Sequence, residues 1–246
     1  VRCCPYHHRP IPLPLLKIII YNMHPDMNTL HFISISGRPS SGKDTQANLL
    51  VQQYSDAEVV STGDIFRGAS QPDGQYGKYY PLIEPFVRDV NQGSLLPDEI
   101  IVSIVEEVVR EKIEAGLRTI IFTGFPRTIS QLDEYREWLK RFENDFKVRS
   151  DFLCLAVLEG RSRHLADVRR GTPGVLARED DQPQTVDRRL AVYREQTLPM
   201  LKKLAVEGEL KIIRSNRDIE SIHADADVYL SQAEYSPSVL RHSERQ

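Results

Sequence analysis

Residues 37–46, Gly-Arg-Pro-Ser-Ser-Gly-Lys-Asp-Thr-Gln, carry the spacing Gly37-x4-Gly42-Lys43. Glycines placed this way let backbone N–H groups turn inward, and the lysine that follows can reach the oxygens of a polyphosphate. The chemistry on offer is therefore phosphate binding. The Ser or Thr that often follows such a lysine is absent. Asp44 stands there and Thr45 comes one place later. Further along, Ser61-Thr62-Gly63-Asp64-Ile65-Phe66-Arg67 sets a hydroxyl and a guanidinium about one helical turn apart. Two readings stay open for that segment. It is a second phosphate site, or a helix cap by Thr62 or Asp64 with an exposed arginine. Gly124-Phe125-Pro126-Arg127-Thr128 offers another arginine, with Gln131 beyond it. Arg169-Arg170 and Arg178, separated by Gly171-Thr172-Pro173-Gly174, read as a charged flap or as a solvated basic face; Arg188-Arg189 follow.

These groups need elements to position them. Leu30–Ser36 is a buried strand ahead of the glycine loop, and residues 45–51 begin a helix after it. The strand–loop–helix order puts a helix N-terminus, with its unpaired N–H donors and partial positive charge, where phosphates would sit. Near-continuous apolar runs at 58–61, 119–123, 152–158 and 210–213 predict further strands covered on both faces. Helical spacing of Ile100/Ile101, Ile104/Val105, Val108/Val109 and Ile113 predicts a helix over 97–115, ended by Gly116. Helices are also expected over about 128–142, 183–207 and 216–232. Alternating strands and helices imply a three-layer α/β fold with a parallel five-stranded sheet, and ligands at the carboxyl ends of its strands.

The 246-residue chain is 40% hydrophobic, enough for one full core with a small inserted lobe. Its 32 basic and 35 acidic residues give a net charge of −3, which argues against bulk nucleic-acid binding. Cys3, Cys4 and Cys154 make no disulfide framework and point to a reducing compartment. Cys3, Cys4, His7 and His8 lack a second cluster to complete a four-ligand metal site. The apolar run Ile11–Ile20 contains two prolines and a lysine and is too short to span a bilayer. No small-residue cleavage site follows it. Residues 1–27 are expected to be a disordered extension, 28–232 the folded domain, and 233–246 a polar tail.

Taken in order, the glycine loop, Ser61-Thr62-Gly63-Asp64…Arg67, Leu96-Pro97-Asp98-Glu99, Gly124-Phe125-Pro126-Arg127-Thr128…Gln131 and Arg178…Asp180-Asp181…Arg189 resemble the motif set of the adenylate kinases. These are P-loop enzymes among the nucleoside monophosphate kinases, and the resemblance covers about residues 30–232. It implies that ATP's phosphates lie on Gly37, Ser40, Ser41, Gly42, Lys43, Asp44 and Thr45, with Arg169. It implies that AMP lies against Thr62, Gly63, Arg67, Leu96, Gly124, Arg127 and Gln131 in a lobe of about 62–91. A short lid of about 169–180, without zinc because no Cys quartet exists, would bring Arg178 and Arg189 over the phosphoryl group. Lys43, Arg127, Arg178 and Arg189 then carry the catalytic charge. Thr128 and Pro97-Asp98-Glu99 look more like the adenylate than the uridylate/cytidylate members. ATP with Mg2+, AMP, a monomer and a cytoplasmic location follow from the same resemblance, with no nucleic acid and no membrane. Transfer to CMP, UMP or a deoxynucleotide stays open, as does a nucleotide-binding regulator that has lost turnover.

Several positions depart from the family. Thr123 stands where an Asp before Gly-Phe-Pro-Arg orients magnesium's water shell, and Asp44 stands where glycine follows the lysine. The expectation is that the magnesium carboxylate has moved from position 123 to 44. Ser40 replaces a customary glycine, a mild change if its backbone stays right-handed. Leu165 and Ala166 lie where the family stacks an arginine on the donor base, so the grip on that base is expected to be permissive.

Overall fold

A computed structural model describes residues 28–171 and 182–232. Strands β1 (Thr29–Gly37), β2 (Ala57–Ser61), β3 (Thr119–Thr123), β4 (Lys147–Ala156) and β5 (Leu210–Arg214) form one parallel sheet in the order β2-β3-β1-β4-β5. Helices α1 (Lys43–Val51), α2 (Thr62–Ala69), α3 (Asp98–Glu114), α4 (Ile129–Phe142), α5 (Glu159–Gly171), α6 (Pro183–Val192), α7 (Leu198–Val206) and α8 (Ile219–Gln232) connect or flank them. β1 is the central strand, so Leu30 through Ser36 are buried on both faces. Its register sets Ile35 beside Thr123 and Gly37 beside Leu155, and the loops after β1, β3 and β4 therefore leave from adjacent strand ends.

Each face of the sheet has its own core. On one, Phe32, Phe122, Phe125, Tyr135, Trp138 and Phe142 pack with residues of α3, α4 and α7, mostly edge-to-face but with Phe32 and Phe122 stacked; the Tyr135 and Trp138 ring centres are 4.9 Å apart at 88°. On the other, Ile33, Ile35, Ile121, Leu153 and Leu155 meet Ala47 and Leu50 of α1 and Ile222, Ala226 and Leu230 of α8. Truncating one of the large fully buried rings would cost about 3–5 kcal/mol. At the amino end of β1, buried His31 Nε2 lies 2.7 Å from Asp151 Oδ2. Arg149 donates to the same carboxylate and to the Leu230 carbonyl, fastening β4 to α8. Burial alone would raise the Asp151 pKa, but His31 and then Arg149 hold it below its ordinary value.

The expected strands all form, with β4 starting earlier, at Lys147. The helix expected over 183–207 is broken by a π turn at Tyr193–Thr197 between α6 and α7. Pro199 lacks the N–H that an α-turn would use, and the Leu198 N–H bonds Tyr193 O five residues back. Helix α5 was not expected from the sequence. It buries only Ser162 and Ala166, so little apolar periodicity betrays it. The region 70–91 consists of short helical turns, Gly77–Tyr79, Tyr80–Ile83, Glu84–Phe86 and Val87–Asn91; Pro81 and Pro85 each sit in the first turn of one. Residues 1–27, 233–246 and most of the lid expected over 169–180 lie outside the described residues. Among the described residues no helix is long and apolar enough to cross a membrane.

Candidate active site

The glycine loop joins β1 to α1. Gly37 has φ +151, and a Cβ there would meet the Leu155 carbonyl oxygen and Ser41 Oγ at 2.6 Å, so no side chain fits. Gly42 caps α1 at φ 89, left-handed. Ser40 also sits left-handed, at φ 58. That corrects the expectation of a mild replacement: an L-residue there stores about 1–2 kcal/mol of backbone strain. Lys43 folds back so that Nζ donates to Arg38 O at 2.9 Å and Gly37 O at 3.3 Å. Desolvation lowers its pKa to about 7; Asp44 pulls it up, and Arg127 and Arg189 push it down again. Ser41 Oγ is buried without a hydrogen-bond partner. Thr45 is exposed and Asp44 half-buried.

Arg38, Ser162 and Arg169 tie the loop to its surroundings. Arg38 donates to Val157 O at 2.7 Å and lies 5.3 Å over the Tyr193 ring. Ser162 of α5 donates to Pro39 O, and Arg169 Nη2 reaches Ser40 Oγ at 3.5 Å. Gln46 donates to Ile219 O, tying α1 to α8.

At the end of β2, two strands from β1, Ser61 caps α2 by accepting the Asp64 N–H. The capping role left open between Thr62 and Asp64 thus belongs to their neighbour, which the Ser-x-x-Asp spacing 61–64 could have revealed. Thr62 is free for other work: its Oγ1 donates to Gly124 O at 3.0 Å and accepts Arg127 Nη2 at 3.4 Å. Arg127 Nε also donates to Gly124 O. Gly124, at φ 81, must be glycine, because a Cβ would stand 2.4 Å from Arg127 Nη2 and 2.8 Å from Thr62 Oγ1. Arg67 turns instead onto its own helix, pairing with Asp64 at 2.5 Å beside Gly63. Gln131 is buried with both ends of its amide engaged. Oε1 accepts the Arg127 N–H, and Nε2 donates to Asp98 Oδ1, whose other oxygen accepts Thr128.

The structure therefore sets Thr62, Gly124 and Gln131 around Arg127, on the strand next to the one that leads to Lys43, and the charges of Arg127 and Arg189 both disfavour the Lys43 ammonium. Arg178 lies outside the described residues. A groove of about 830 Å3 lies beside this cluster, lined by Leu96, Asp98, Thr128 and Arg188 among others. Volume is a poor guide here, since a phosphate site is marked by converging donors. Cationic groups at adjacent strand ends, above a glycine loop, can hold two phosphate chains head to head.

The family model of adenylate kinase matches residues 35–208. The chain belongs to the adenylate kinase family. Relatives named adenylate kinase include one from Hyphomonas neptunium, 32% identical over 80% of this chain and 96% of its own length. Others are from Parabacteroides distasonis, at 34% over 77% and 92%, and Bacillus subtilis, at 30% over 78% and 94%. As a member of this family the protein is an enzyme, a nucleoside monophosphate kinase of the adenylate kinase type, and its parallel sheet with flanking helices is that P-loop fold.

Proposed function

We propose that the enzyme moves the γ-phosphoryl group of ATP to AMP, giving two ADP. The observation that supports this reading is the Thr62–Gly124–Arg127 cluster at the ends of β2 and β3, one strand from the glycine loop after β1 that carries Lys43. In this reading the loop amides, Lys43 and Arg169 hold the donor triphosphate. Thr62, Arg67 and Arg127 hold the acceptor's phosphate, and Leu96 and Gln131 lie toward its base. An acceptor phosphate oxygen bonds to the γ-phosphorus as the bond to the β–γ bridging oxygen breaks. Little covalent work falls to the protein; it positions the two chains in line and spreads positive charge over the equatorial oxygens. Arginine suits this because its fork pairs phosphate oxygens bidentately and stays protonated. Magnesium carried by the triphosphate would add charge neutralisation and a template for the donor.

The test is AMP-dependent conversion of ATP to ADP by the purified chain, with and without Mg2+, with CMP, UMP and dAMP run alongside. A second reading, transfer to another monophosphate, draws on Gln131, whose amide is engaged by Asp98 and the Arg127 N–H rather than open to a base. Faster turnover with CMP or UMP would establish it. Binding of a two-headed adenosine polyphosphate without any ADP formation would instead make the chain a nucleotide-binding regulator.

A further inference from the structure

Arg38 places a long cation at the second position of the glycine loop. Its backbone and its side chain do different work. The carbonyl accepts the Ser41 N–H at 3.2 Å and the Lys43 ammonium at 2.9 Å, so it fixes both the turn and the lysine. The guanidinium reaches out of the loop. Its Nη1 donates to Val157 O at 2.7 Å, just past the end of β4, and its central carbon lies 5.3 Å from the centre of the Tyr193 ring. Nε is buried without a hydrogen-bond partner, so the cation is partly desolvated where it meets a ring that is itself only 7% exposed. A cation–π contact is strongest under that condition.

Tyr193 is where α6 ends and the π turn begins. Its N–H donates to the carbonyls of Arg189 and Leu190, and its own carbonyl accepts the Leu198 N–H. One residue therefore takes the Arg38 cation on its side chain and the last turn of α6 on its backbone. The next residue, Arg194, is held by both carboxylate oxygens of Glu159 at the start of α5, at 3.3 and 3.2 Å. A π turn interrupts the regular helical ladder, which leaves the angle between α6 and α7 to such side-chain contacts. Arg189 lies one turn before Tyr193 on α6, and its charge is among those felt at Lys43. We propose that Arg38 is a positioning residue for phosphoryl transfer: through the Tyr193 ring it holds α6, and with it Arg189, in register with the loop that carries Lys43. The inference rests on the transfer reading above. Arg38 does not touch the reacting atoms in this role. It acts through Arg189, where a misplacement of about 1 Å can cost on the order of 100-fold in rate.

The experiment combines Arg38→Met, which keeps the stem and removes the guanidinium, with Arg189→Ala in a double-mutant cycle on the full chain. Affinity is read for diadenosine pentaphosphate, which spans the donor and acceptor sides, and for β,γ-methylene-ATP, which occupies the donor side alone. Initial rates give kcat and each KM. Arg38→Met should weaken the two-headed probe about 10-fold and lower kcat about 10- to 30-fold, the scale of one desolvated cation–π contact, with β,γ-methylene-ATP binding and KM for ATP within about threefold of wild type. In the Arg189→Ala background the same substitution should change either quantity by less than about threefold. Tyr193→Leu should copy Arg38→Met, and Tyr193→Phe, which keeps the ring, should match wild type. Equal losses in both backgrounds, or a folded Arg38→Met that binds the two-headed probe like wild type, would overturn the proposal. So would β,γ-methylene-ATP binding weakened as much as the two-headed probe, because the loop would then simply have lost its shape. Should Arg38→Met fail to fold, as judged by circular dichroism, Tyr193→Leu takes its place in the cycle. Both affinities are measured without turnover, so an Arg189-dependent loss in a chain that forms no ADP would support the strut and count against the transfer reading alone.

Discussion

Replacing Lys43 by Met should make the nucleotide-free protein more stable while abolishing its chemistry. The substitution keeps the length of the stem and removes the charge. In the folded chain the ammonium rests on two loop carbonyls, with Arg127 and Arg189 nearby, and its pKa falls from 10.5 to about 7. That drop corresponds to about 4–5 kcal/mol between the charged and neutral forms. Part of the side chain keeps contact with solvent, which discounts the realised cost to about 2–3 kcal/mol. For a domain of this size each kcal/mol moves Tm by about 2–4 °C, so Lys43→Met should melt roughly 4–12 °C higher without ligand. Turnover should fall by about 10²–10³, as for other groups that meet developing charge.

The pH dependence separates this from ordinary packing. Because the folded pKa lies below the unfolded one, the unfolded chain binds more protons between about pH 7 and 10.5, and wild-type stability gains with rising pH across that window. The advantage of Lys43→Met should therefore be full below pH 7 and shrink as pH climbs toward 10.5. Thermal unfolding at pH 6.5, 8 and 9.5, on nucleotide-free protein, reads both the size and the trend. A variant that melts no higher than wild type at pH 6.5, or whose advantage is the same at every pH, would show that the ammonium carries no desolvation penalty and would refute the reasoning.

Three further outcomes are expected. Ser40→Gly should relieve the left-handed backbone at φ 58 and raise stability by about 1 kcal/mol, or 2–4 °C in Tm; an unchanged or lower Tm would mean that the Ser40–Arg169 contact outweighs the strain. Gly124→Ala forces a Cβ into Arg127 and Thr62, so KM for the acceptor should rise at least tenfold while KM for ATP changes little, read by initial rates with each substrate varied in turn. Asp151→Asn removes the buried carboxylate that His31 and Arg149 share and should cost about 3 kcal/mol in urea unfolding at pH 7. In the wild type, the Asp151 contribution is present above its unfolded pKa of 3.8. It is lost as pH falls through the lower folded value, so the two proteins should converge in strong acid.

The sheet was legible in the sequence because a parallel strand covered on both faces reads as an unbroken apolar run, and β3, Thr119–Thr123, is buried at every position. Helix α3 announced itself by periodicity and Gly116. Helix α5 did not, since its contacts are mostly polar and the glycine loop it braces is brought to it by the fold. The π turn before α7 was encoded in Pro199, but only burial on both sides of it, Leu190 against Ala166 and Val186 and Met200 with Leu204 in the main core, decides that the chain passes through that proline rather than stopping. At the site, residue types and order pointed to Lys43, Thr62, Arg127 and Arg189. What sequence spacing could not reach was conformation: Ser40 is left-handed, Ser61 is the cap, and Arg67 lies along its own helix. Those depend on which donor meets which acceptor after the strands align.

That pairing has a consequence for how nucleotides bind. Without ligand, three of the cations proposed to meet phosphate rest on an oxygen of the protein: Lys43 on the Gly37 and Arg38 carbonyls, Arg127 on the Gly124 carbonyl, Arg67 on the Asp64 carboxylate. Buried or half-buried cations without such partners would destabilise the fold. Phosphate oxygens must therefore exchange with these internal acceptors rather than simply fill a waiting cradle. The exchange favours the ligand because a phosphate carries full negative charge where a carbonyl carries a dipole, and the gain is largest at Lys43, whose protonation the anion restores. At Arg67 the outgoing partner is itself a carboxylate. That pair is exposed, so its release costs at most about 1 kcal/mol and the exchange there is close to even.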